Sequence, residues 1–432
     1  MSAFAIGLSG IGIMFAMLFL RQPVWLSLAI TGIVGNIVLN SLGMAQYVAG
    51  TVFFDTASNY NLSVIPLFVL MGEVASNSRM SAELFRAARV MLSGVRGGLA
   101  VASLGASGAF GAICGSSVAT AASMTRIALP EMRKAGYDDG FASGSIAAGG
   151  SLGILIPPSI ILVIYGSIAE ESVARLFAAA LIPGIVLMLI YIAVALIVAR
   201  RDGSTPREAA ASFMERVLAL RHAWQFALLF GLTIGGIYAG IFSPNEAASV
   251  GAFGAIVLGL LRRSLSLQGL VKAVQTSVIV SCALFMIILG ATLFSQFVVQ
   301  TRLPVALLAL AQDANLSPAL VMALIIVIYI VMGCFLEGIG MVLITVPVFL
   351  PVLTGYGFDP ILFGVLVAIL VELGLITPPV GMNLFIIRAQ VPDMPMAALY
   401  RGITPFLIAP LILIMLILAF PPLTLWLPEV LY

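Results

Sequence analysis

The residues best suited to chemistry lie in two nearby segments of the first half of the chain. One runs from Gly115 to Thr120 with the sequence GSSVAT, and the other from Gly149 to Pro158 with the sequence GGSLGILIPP. Proline removes an amide donor and frees a carbonyl one turn earlier, and glycine tolerates the unwound backbone that results. Freed carbonyls and hydroxyls are hard oxygen ligands that suit Na⁺, while a helix N-terminus at the same break attracts an anion. One such break can therefore hold a cation beside a carboxylate.

The second half of the chain contains a similar pair of segments with different side chains. Leu336–Gly340 reads LEGIG, and residues 372–383 read ELGLITPPVGMN. Glu337 and Glu372 are ionisable groups in apolar surroundings, where they are costly and by default functional. The alternative is a protonated glutamate bonded to a neighbouring carbonyl. Likewise, the prolines could only kink helices and the hydroxyls could bond back to the preceding turn.

Several other kinds of chemistry are excluded by composition. The two lysines, Lys134 and Lys272, lie outside any P-loop motif, so no ATP-hydrolysing site is expected. A single histidine, His222, leaves no catalytic triad and no metal cluster, so no enzyme is expected. A net charge of +2 argues against a nucleic-acid partner. Three cysteines without disulfide or metal-ligand spacing are expected to be small buried core residues: Cys114, Cys282 and Cys334.

The chain must be dissolved in lipid. Of its 432 residues 62% are hydrophobic and only 9% are charged, and the mean hydropathy is +1.18. A helix needs about 20 apolar residues to cross a bilayer. Crossings are predicted near residues 3–20, 23–42, 61–78, 140–169, 175–199, 223–241, 244–262, 273–299, 361–388 and 403–427. Two further apolar stretches carry turn-forming residues in the middle and are predicted to be re-entrant hairpins: 97–134 and 316–353.

Arginines predict the orientation of these crossings. They collect in the segments 79–96, 200–221 and 262–272, which the predicted crossings place on one side of the membrane. Because positive residues favour the cytoplasmic side, both termini are expected to face the periplasm of a bacterial inner membrane. The segments on the opposite side carry little positive charge and are expected to be loops: 43–60, 170–174 and 300–315.

Matching blocks recur at an offset of 221 positions. Gly153–Pro158 matches Gly374–Pro379, with the second proline of each pair 221 apart (379 − 158). Asp138 and Asp359 share the offset, and each is expected to cap the N-terminus of a broken helix. Each half contains five predicted crossings and one hairpin. Because five is odd, the second half is expected to be inserted upside down relative to the first.

The expected organisation is a first repeat at residues 1–200, a cytoplasmic connecting loop at 201–222 and an inverted second repeat at 223–432. The first repeat contains hairpin 97–134 and broken helix 140–169, and the second contains hairpin 316–353 and broken helix 361–388. The alternative is ten independent helices with the hairpins counted as full crossings, which gives a similar charge map.

Several motifs together resemble the large membrane subunit of TRAP (tripartite ATP-independent periplasmic) transporters over nearly the whole chain. They occupy residues 111–124, 153–159, 235–251 and 374–383. The resemblance implies an elevator-type, Na⁺-driven importer of organic acids. It also implies two partners, a small four-helix membrane subunit and a soluble periplasmic substrate-binding protein. Because the chain starts directly at its first crossing, the small subunit is expected to be a separate chain.

The same resemblance implies that the cations bind at the hairpin tips and the broken helices. The implied Na⁺ ligands are Ser116, Ser117, Gly153, Gly338 and Thr377, and Gly150 and Pro378 of the same breaks complete the candidate set. The candidate substrate contacts are Ser116, Thr120, Pro158, Glu337, Pro379 and Asn383. Na⁺ is the expected coupling ion, and no organic cofactor or other metal is expected.

The sequence as a whole predicts an all-α polytopic membrane protein built from two inverted-topology repeats. Hairpins and broken helices are expected to form a mobile transport domain, and the other crossings a scaffold. The expected function is Na⁺-coupled import of a small organic acid, such as a C4-dicarboxylate or sialic acid, delivered by a periplasmic binding protein. A self-sufficient Na⁺/dicarboxylate symporter that needs no binding protein is the alternative. An ion channel is disfavoured because the breaks are too local for a continuous polar pore.

Overall fold

The computed structural model describes residues 2–202, 205, 207 and 209–432, and all regular secondary structure within them is helical. The first half contains α1 (Ala3–Phe19), α2 (Val24–Leu39), α3 (Leu42–Ser58), α4 (Val64–Asn77), α5 (Met80–Met91), α6 (Gly98–Cys114), α7 (Ser117–Lys134), α8 (Asp139–Leu155), α9 (Ile160–Ala169) and α10 (Val173–Asp202). The second half contains α11 (Phe213–Leu220), α12 (Trp224–Phe230), α13 (Gly236–Tyr238), α14 (Pro244–Leu261), α15 (Leu267–Gln300), α16 (Leu303–Asp313), α17 (Pro318–Gly333), α18 (Gly338–Gly355), α19 (Pro360–Ile376), α20 (Met382–Gln390), α21 (Met396–Ile403), α22 (Ile408–Ala419) and α23 (Pro422–Leu431).

The helix bounds of the two halves correspond at the offset of 221. Both ends of α7 map onto both ends of α18, and both ends of α8 map onto both ends of α19. The long α15 covers the positions that correspond to most of α3, to the connection after it and to all of α4. The two halves therefore share one order of helices.

Fewer helices than predicted are long and apolar enough to cross a membrane. Six qualify within the described residues, or seven if α11 and the α12–α13 segment, bent by 43°, count as one span. Several predicted crossings coincide with shorter helices, because caps and breaks end them early: α1, α2 and α19 have 16 or 17 residues. The predicted crossing at 403–427 is also divided. Its helix ends at Ala419, where the two prolines of Phe420-Pro421-Pro422 cannot continue the hydrogen-bond ladder.

Four segments predicted to be loops contain helices. The segments 43–60, 79–96, 201–222 and 300–315 contain α3, α5, α11 and α16 respectively. These helices do not contain long continuous apolar runs, because their apolar residues are interrupted by polar ones. In α5, for example, Met80, Leu84 and Ala87 are buried at helical spacing while Arg86 is exposed.

The three arginine-bearing segments lie together, as predicted. Arg262 forms an ion pair of 2.9 Å with Glu83 of α5. Arg207 donates a hydrogen bond of 2.6 Å to the carbonyl of Gly94, and Arg216 donates one of 3.1 Å to the carbonyl of Ser93. We call this side of the molecule the arginine-rich face.

Close helix packing builds the rest of the framework. α2 lies against α15 so closely that a Cβ at Gly32 would be 2.6 Å from the backbone carbon of Leu293. α8 and α19 are buried along almost their whole lengths and form the centre of the molecule. Aromatic rings from the two halves also contact each other: Tyr165 of α9 and Phe363 of α19 pack edge to face with ring centroids 6.2 Å apart.

Two local predictions have different outcomes. The N-cap prediction is confirmed: the Asp138 carboxylate accepts from the amide of Phe141 at 3.0 Å, and Asp359 accepts from that of Ile361 at 2.8 Å. The expectation of three buried cysteines is wrong. Cys114 is buried, but Cys334 is partly exposed and Cys282 is exposed, since it lies on the side of α15 away from the packed residues.

Candidate functional site

The first hairpin tip packs against the first helix break. α6 ends at Cys114, and Gly115 turns the chain with a φ of 61°. Ser116 then caps α7, its hydroxyl accepting from the amide of Ala119 at 3.3 Å. A Cβ at Gly115 would lie 2.9 Å from the carbonyl oxygen of Pro158. Only a residue without a side chain fits this turn.

The first hairpin returns to the side of the molecule from which it starts, as a contact of Leu99 at the start of α6 shows. The Leu99 amide lies 3.3 Å from the hydroxyl of Tyr137, which follows the end of α7. The two arms thus begin and end near each other, and their tip between Cys114 and Ser117 lies at the far end.

Gly153 of α8 faces the oxygens of this tip. A Cβ here would lie 2.9 Å from the Thr120 hydroxyl oxygen and 3.0 Å from the Ser116 carbonyl oxygen. The Thr120 hydroxyl donates to that carbonyl at 2.8 Å. Because its proton goes to that carbonyl, the Thr120 oxygen can accept from the Cys114 thiol 3.0 Å away and still has one lone pair for a cation. Gly150, one turn earlier, packs against Ala121, with an added Cβ only 2.7 Å from its methyl.

The second tip and break have the same layout. Gly338 begins α18 directly after Glu337, and a Cβ on it would lie 2.5 Å from the side chain of Val371. The thiol of Cys334 lies 3.6 Å from the carbonyl oxygen of Pro378. The Thr377 hydroxyl donates to the Leu373 carbonyl at 2.5 Å, so it bonds back to its own helix and its lone pairs stay free.

Pro379 differs from its counterpart in the first half. Its carbonyl already accepts a hydrogen bond of 2.5 Å from Tyr400, and the residue is exposed. Pro158, in contrast, is buried. The peptide bond between the two prolines is cis in both breaks.

Hydrogen bonds connect the two halves between these breaks. Asn383 lies beside Ser117, its side-chain oxygen 2.9 Å and its nitrogen 2.7 Å from the serine hydroxyl, and the nitrogen is also 3.3 Å from the Ala147 carbonyl. Deeper, the Ser151 hydroxyl donates to Glu372 at 2.6 Å. Ser151 and Glu372 are fully buried and 221 positions apart, so equivalent positions of the two halves bond to each other. The second carboxylate oxygen of Glu372 has no hydrogen-bond partner among the described residues.

A cavity of about 530 Å³ reaches from the hairpin tips towards the arginine-rich face. Of the predicted substrate contacts, Ser116 and Glu337 line it. Thr120 and Asn383 are buried and do not line it. α4 and α7 form two neighbouring walls of this cavity, and a hydrogen bond of 2.9 Å between the Ser76 and Ser123 hydroxyls joins the two helices. A second cavity of about 220 Å³ lies at the far end of α9, around Glu170.

Sequence reasoning missed several polar residues of the larger cavity. Glu73, Arg126 and Lys272 line it, along with Thr276 one turn beyond Lys272. The signal was present on α7, where Val118, Ala122 and Arg126 recur every fourth residue and share one face. A charge on the same face as a hairpin tip could have been read as part of the site.

The fold and the site define an all-α, multi-pass membrane protein with two broken helices at its centre. The family model of the tripartite ATP-independent periplasmic transporters, DctM component, matches residues 11–423. The chain belongs to this family. Its relatives are transporter permeases and not enzymes.

Three relatives illustrate the range of the family. The C4-dicarboxylate TRAP transporter large permease protein DctM of Pseudomonas aeruginosa is 36% identical, with 87% of this chain and 88% of that protein covered. The sialic acid TRAP transporter large permease protein SiaM of Vibrio cholerae is 32% identical, with 96% of each chain covered. The ectoine/5-hydroxyectoine TRAP transporter large permease protein UehC of Ruegeria pomeroyi is 32% identical, covering 85% of this chain and 86% of that protein.

Solved structures of low sequence identity share the fold. The YdaH transporter of Alcanivorax borkumensis superposes with a TM-score of 0.63 at 14% identity, covering 94% of this chain and 99% of that one. MtrF of Neisseria gonorrhoeae superposes with a TM-score of 0.59 at 16% identity, covering 88% and 85%.

Proposed function

We propose that this protein is the Na⁺-coupled, substrate-translocating subunit of an importer for a small organic acid. The observation that carries the proposal is that the two hairpin tips, one from each half, both line the inner end of one cavity, and that each tip packs against a helix break. Freed carbonyls and hydroxyls there are ligands for a hard cation. Helix N-termini at the same breaks favour an anionic substrate.

The substrate class comes from the relatives. Their names specify C4-dicarboxylate, sialic acid and ectoine, and all three compounds carry a carboxylate. At 30–36% identity these relatives support the class of small carboxylates and no single member of it. Ser116 and Glu337 are the proposed substrate contacts at the tip, with the cations held by the oxygens behind it.

The proposed mechanism is an elevator movement of one body past another. The mobile body contains α6–α9 and α17–α20 around the buried α8 and α19, and the scaffold contains α1–α4 and α12–α15. Two arrangements favour it. The larger cavity lies between α7 of the first body and α4 and α15 of the second, and the smaller cavity lies at the opposite end of α9. Sliding would close one cavity and enlarge the other.

The inverted repeat belongs to the same proposal. Shared helix bounds at an offset of 221 favour two structural repeats, and an odd number of crossings in each would invert the second. The arginine-rich face would then be cytoplasmic and both termini periplasmic. The large cavity accordingly opens inward.

The partners follow from the tripartite family. A small membrane subunit would pack on the scaffold, where α3 exposes Tyr47, Phe53 and Phe54. A periplasmic binding protein would deliver the acid. This assignment separates the proposal from a self-sufficient symporter.

Reconstitution in liposomes tests these points. Uptake of radiolabelled succinate, sialic acid and ectoine is measured with the small subunit, with and without a binding protein of matching specificity, and with an inward gradient of Na⁺ or choline. Uptake should require the binding protein and Na⁺. Uptake that persists in choline but collapses with the pH gradient would refute Na⁺ coupling, and robust uptake by the lone chain would favour the symporter.

A further inference from the structure

The mouth of the large cavity carries two cations that the tip site does not use. Arg126 of α7 and Lys272 of α15 both line it, and both residues are exposed. Across the described residues neither of them has a hydrogen bond or a close ion pair. They belong to different walls, so the cavity mouth passes between them.

One acidic group partly balances these charges. Glu73 of α4 lines the same cavity and attracts both cations electrostatically without forming a salt bridge to either. Glu337 lies at the inner end, beside the tip. If each of these groups carries its usual charge, the four sum to zero over the whole cavity, and the mouth, which has Glu73 but not Glu337, keeps an excess of one positive charge.

The mouth and the tip are formed by different parts of α7. The backbone position of Arg126 follows that of Ser116 by ten residues, which corresponds to about 15 Å of helix at 1.5 Å per residue. The Arg126 side chain leans towards the N-terminus of α7 and spans part of this length. A C4-dicarboxylate is shorter than the backbone separation, so an anion at the mouth and one at the tip would contact different residues.

We propose that Arg126 and Lys272 form a second anion site, at the cavity mouth, which holds the carboxylate of the substrate after it leaves the hairpin tips. The site rests on the proposed function for its ligand, but its existence rests on the two unpaired cations. Clefts lined by one sign of charge, with low-dielectric walls, concentrate counter-ions ~10–1,000-fold. Because the mouth has two cations to one carboxylate, we expect an effect at the lower end of this range.

A reporter cysteine measures this field directly. Thr276 lies one turn from Lys272 on the same wall, and Thr276→Cys is made in the full chain with the three native cysteines replaced by alanine. The protein, with its small subunit, is placed in liposomes. The rates of modification by anionic methanethiosulfonate ethylsulfonate and by its cationic trimethylammonium analogue are compared, each divided by its rate with a free thiol.

After this normalisation, the anionic reagent should react about tenfold faster than the cationic one, which is the lower end of the charge-focusing range. Arg126→Gln and Lys272→Gln should each lower the anionic-to-cationic rate ratio several-fold. Arg126→Lys keeps the positive charge and should leave the ratio at its original value. Arg86→Gln is the matched control, because Arg86 is exposed on the arginine-rich face but does not line the cavity. Succinate should slow the modification and neutral succinamide should not.

An unchanged ratio in both Gln variants would overturn the second site. So would protection by succinate that is as strong in a variant carrying both Arg126→Gln and Lys272→Gln as in the parent protein. Uptake measured on the same preparations separates the two proposals. Normal Na⁺-driven uptake with a flat ratio removes only the mouth site. A ratio and protection of the expected kind, with no organic acid transported, leaves the site and removes the proposed function.

Discussion

Replacing Gly153 with alanine tests whether the oxygens of the first tip hold a cation. The new methyl would lie 2.9 Å from the Thr120 hydroxyl and 3.0 Å from the Ser116 carbonyl oxygen, so one or both must move. Overpacking of this kind costs ~1–3 kcal/mol. The better helix propensity of alanine returns about 1 kcal/mol to folding, but it does not restore the positions of the displaced oxygens. A loss of ~1–2 kcal/mol in cation binding, in the lower part of the overpacking range, corresponds to a ~5–30-fold weaker site, since 1.4 kcal/mol is tenfold.

The assay is uptake against Na⁺ concentration in proteoliposomes. Gly153→Ala should raise the Na⁺ concentration for half-maximal uptake by about 5–30-fold, with little loss of expressed protein. Gly105→Ala is the matched control, because a Cβ at this glycine of α6 meets no described atom within 4 Å. An unchanged Na⁺ dependence in a well-expressed Gly153→Ala protein would show that Ser116 and Thr120 do not bind the coupling ion.

Three further predictions concern the contact between the two halves, the second helix break and the topology. Ser117→Ala removes the hydrogen-bond partner of the buried Asn383 side-chain oxygen and should lower the unfolding free energy by ~1–3 kcal/mol. Thermal unfolding in detergent measures this loss. A loss no larger than that of Ser103→Ala, whose hydroxyl has no partner among the described residues, would contradict the prediction. Thr377→Ala should raise the Na⁺ requirement by ~5–100-fold, on the scale of one lost polar ligand, while Thr377→Ser should not; equal curves for all three proteins would remove Thr377 from the cation site. Tyr432→Cys should react with a membrane-impermeant thiol reagent in intact cells, because the C-terminus is predicted to be periplasmic. Reaction only after lysis would refute the inverted repeat.

Local chemistry made part of this protein predictable. Caps, turns and breaks depend on neighbouring residues, so Asp138 and Asp359 could be named as N-caps, and the proline pairs as helix breaks, from the sequence alone. Composition was enough to place the chain in lipid. The family resemblance rested on the same short motifs, and the family comparison bears it out.

Helices without a continuous apolar run were the first thing that the sequence did not determine. α3, α5, α11 and α16 occupy segments that looked like loops. Their burial depends on which neighbours they meet. The number of helices long enough to cross was also overestimated, because a cap ends a helix wherever its hydrogen bonds are satisfied, whatever the length of the apolar run.

Only the tertiary structure decided which polar groups meet. Ser117 bonds to Asn383 across 266 positions, and Ser151 bonds to Glu372 across 221. Arg126 and Lys272 face one cavity from helices 146 positions apart (272 − 126). Spacing along a chain determines contacts within a helix because the helix repeats every 3.6 residues, but contacts between helices depend on packing angles and offsets that no local pattern contains. The tips and breaks could therefore be found in the sequence, whereas the cavity that the two tips share required the folded molecule.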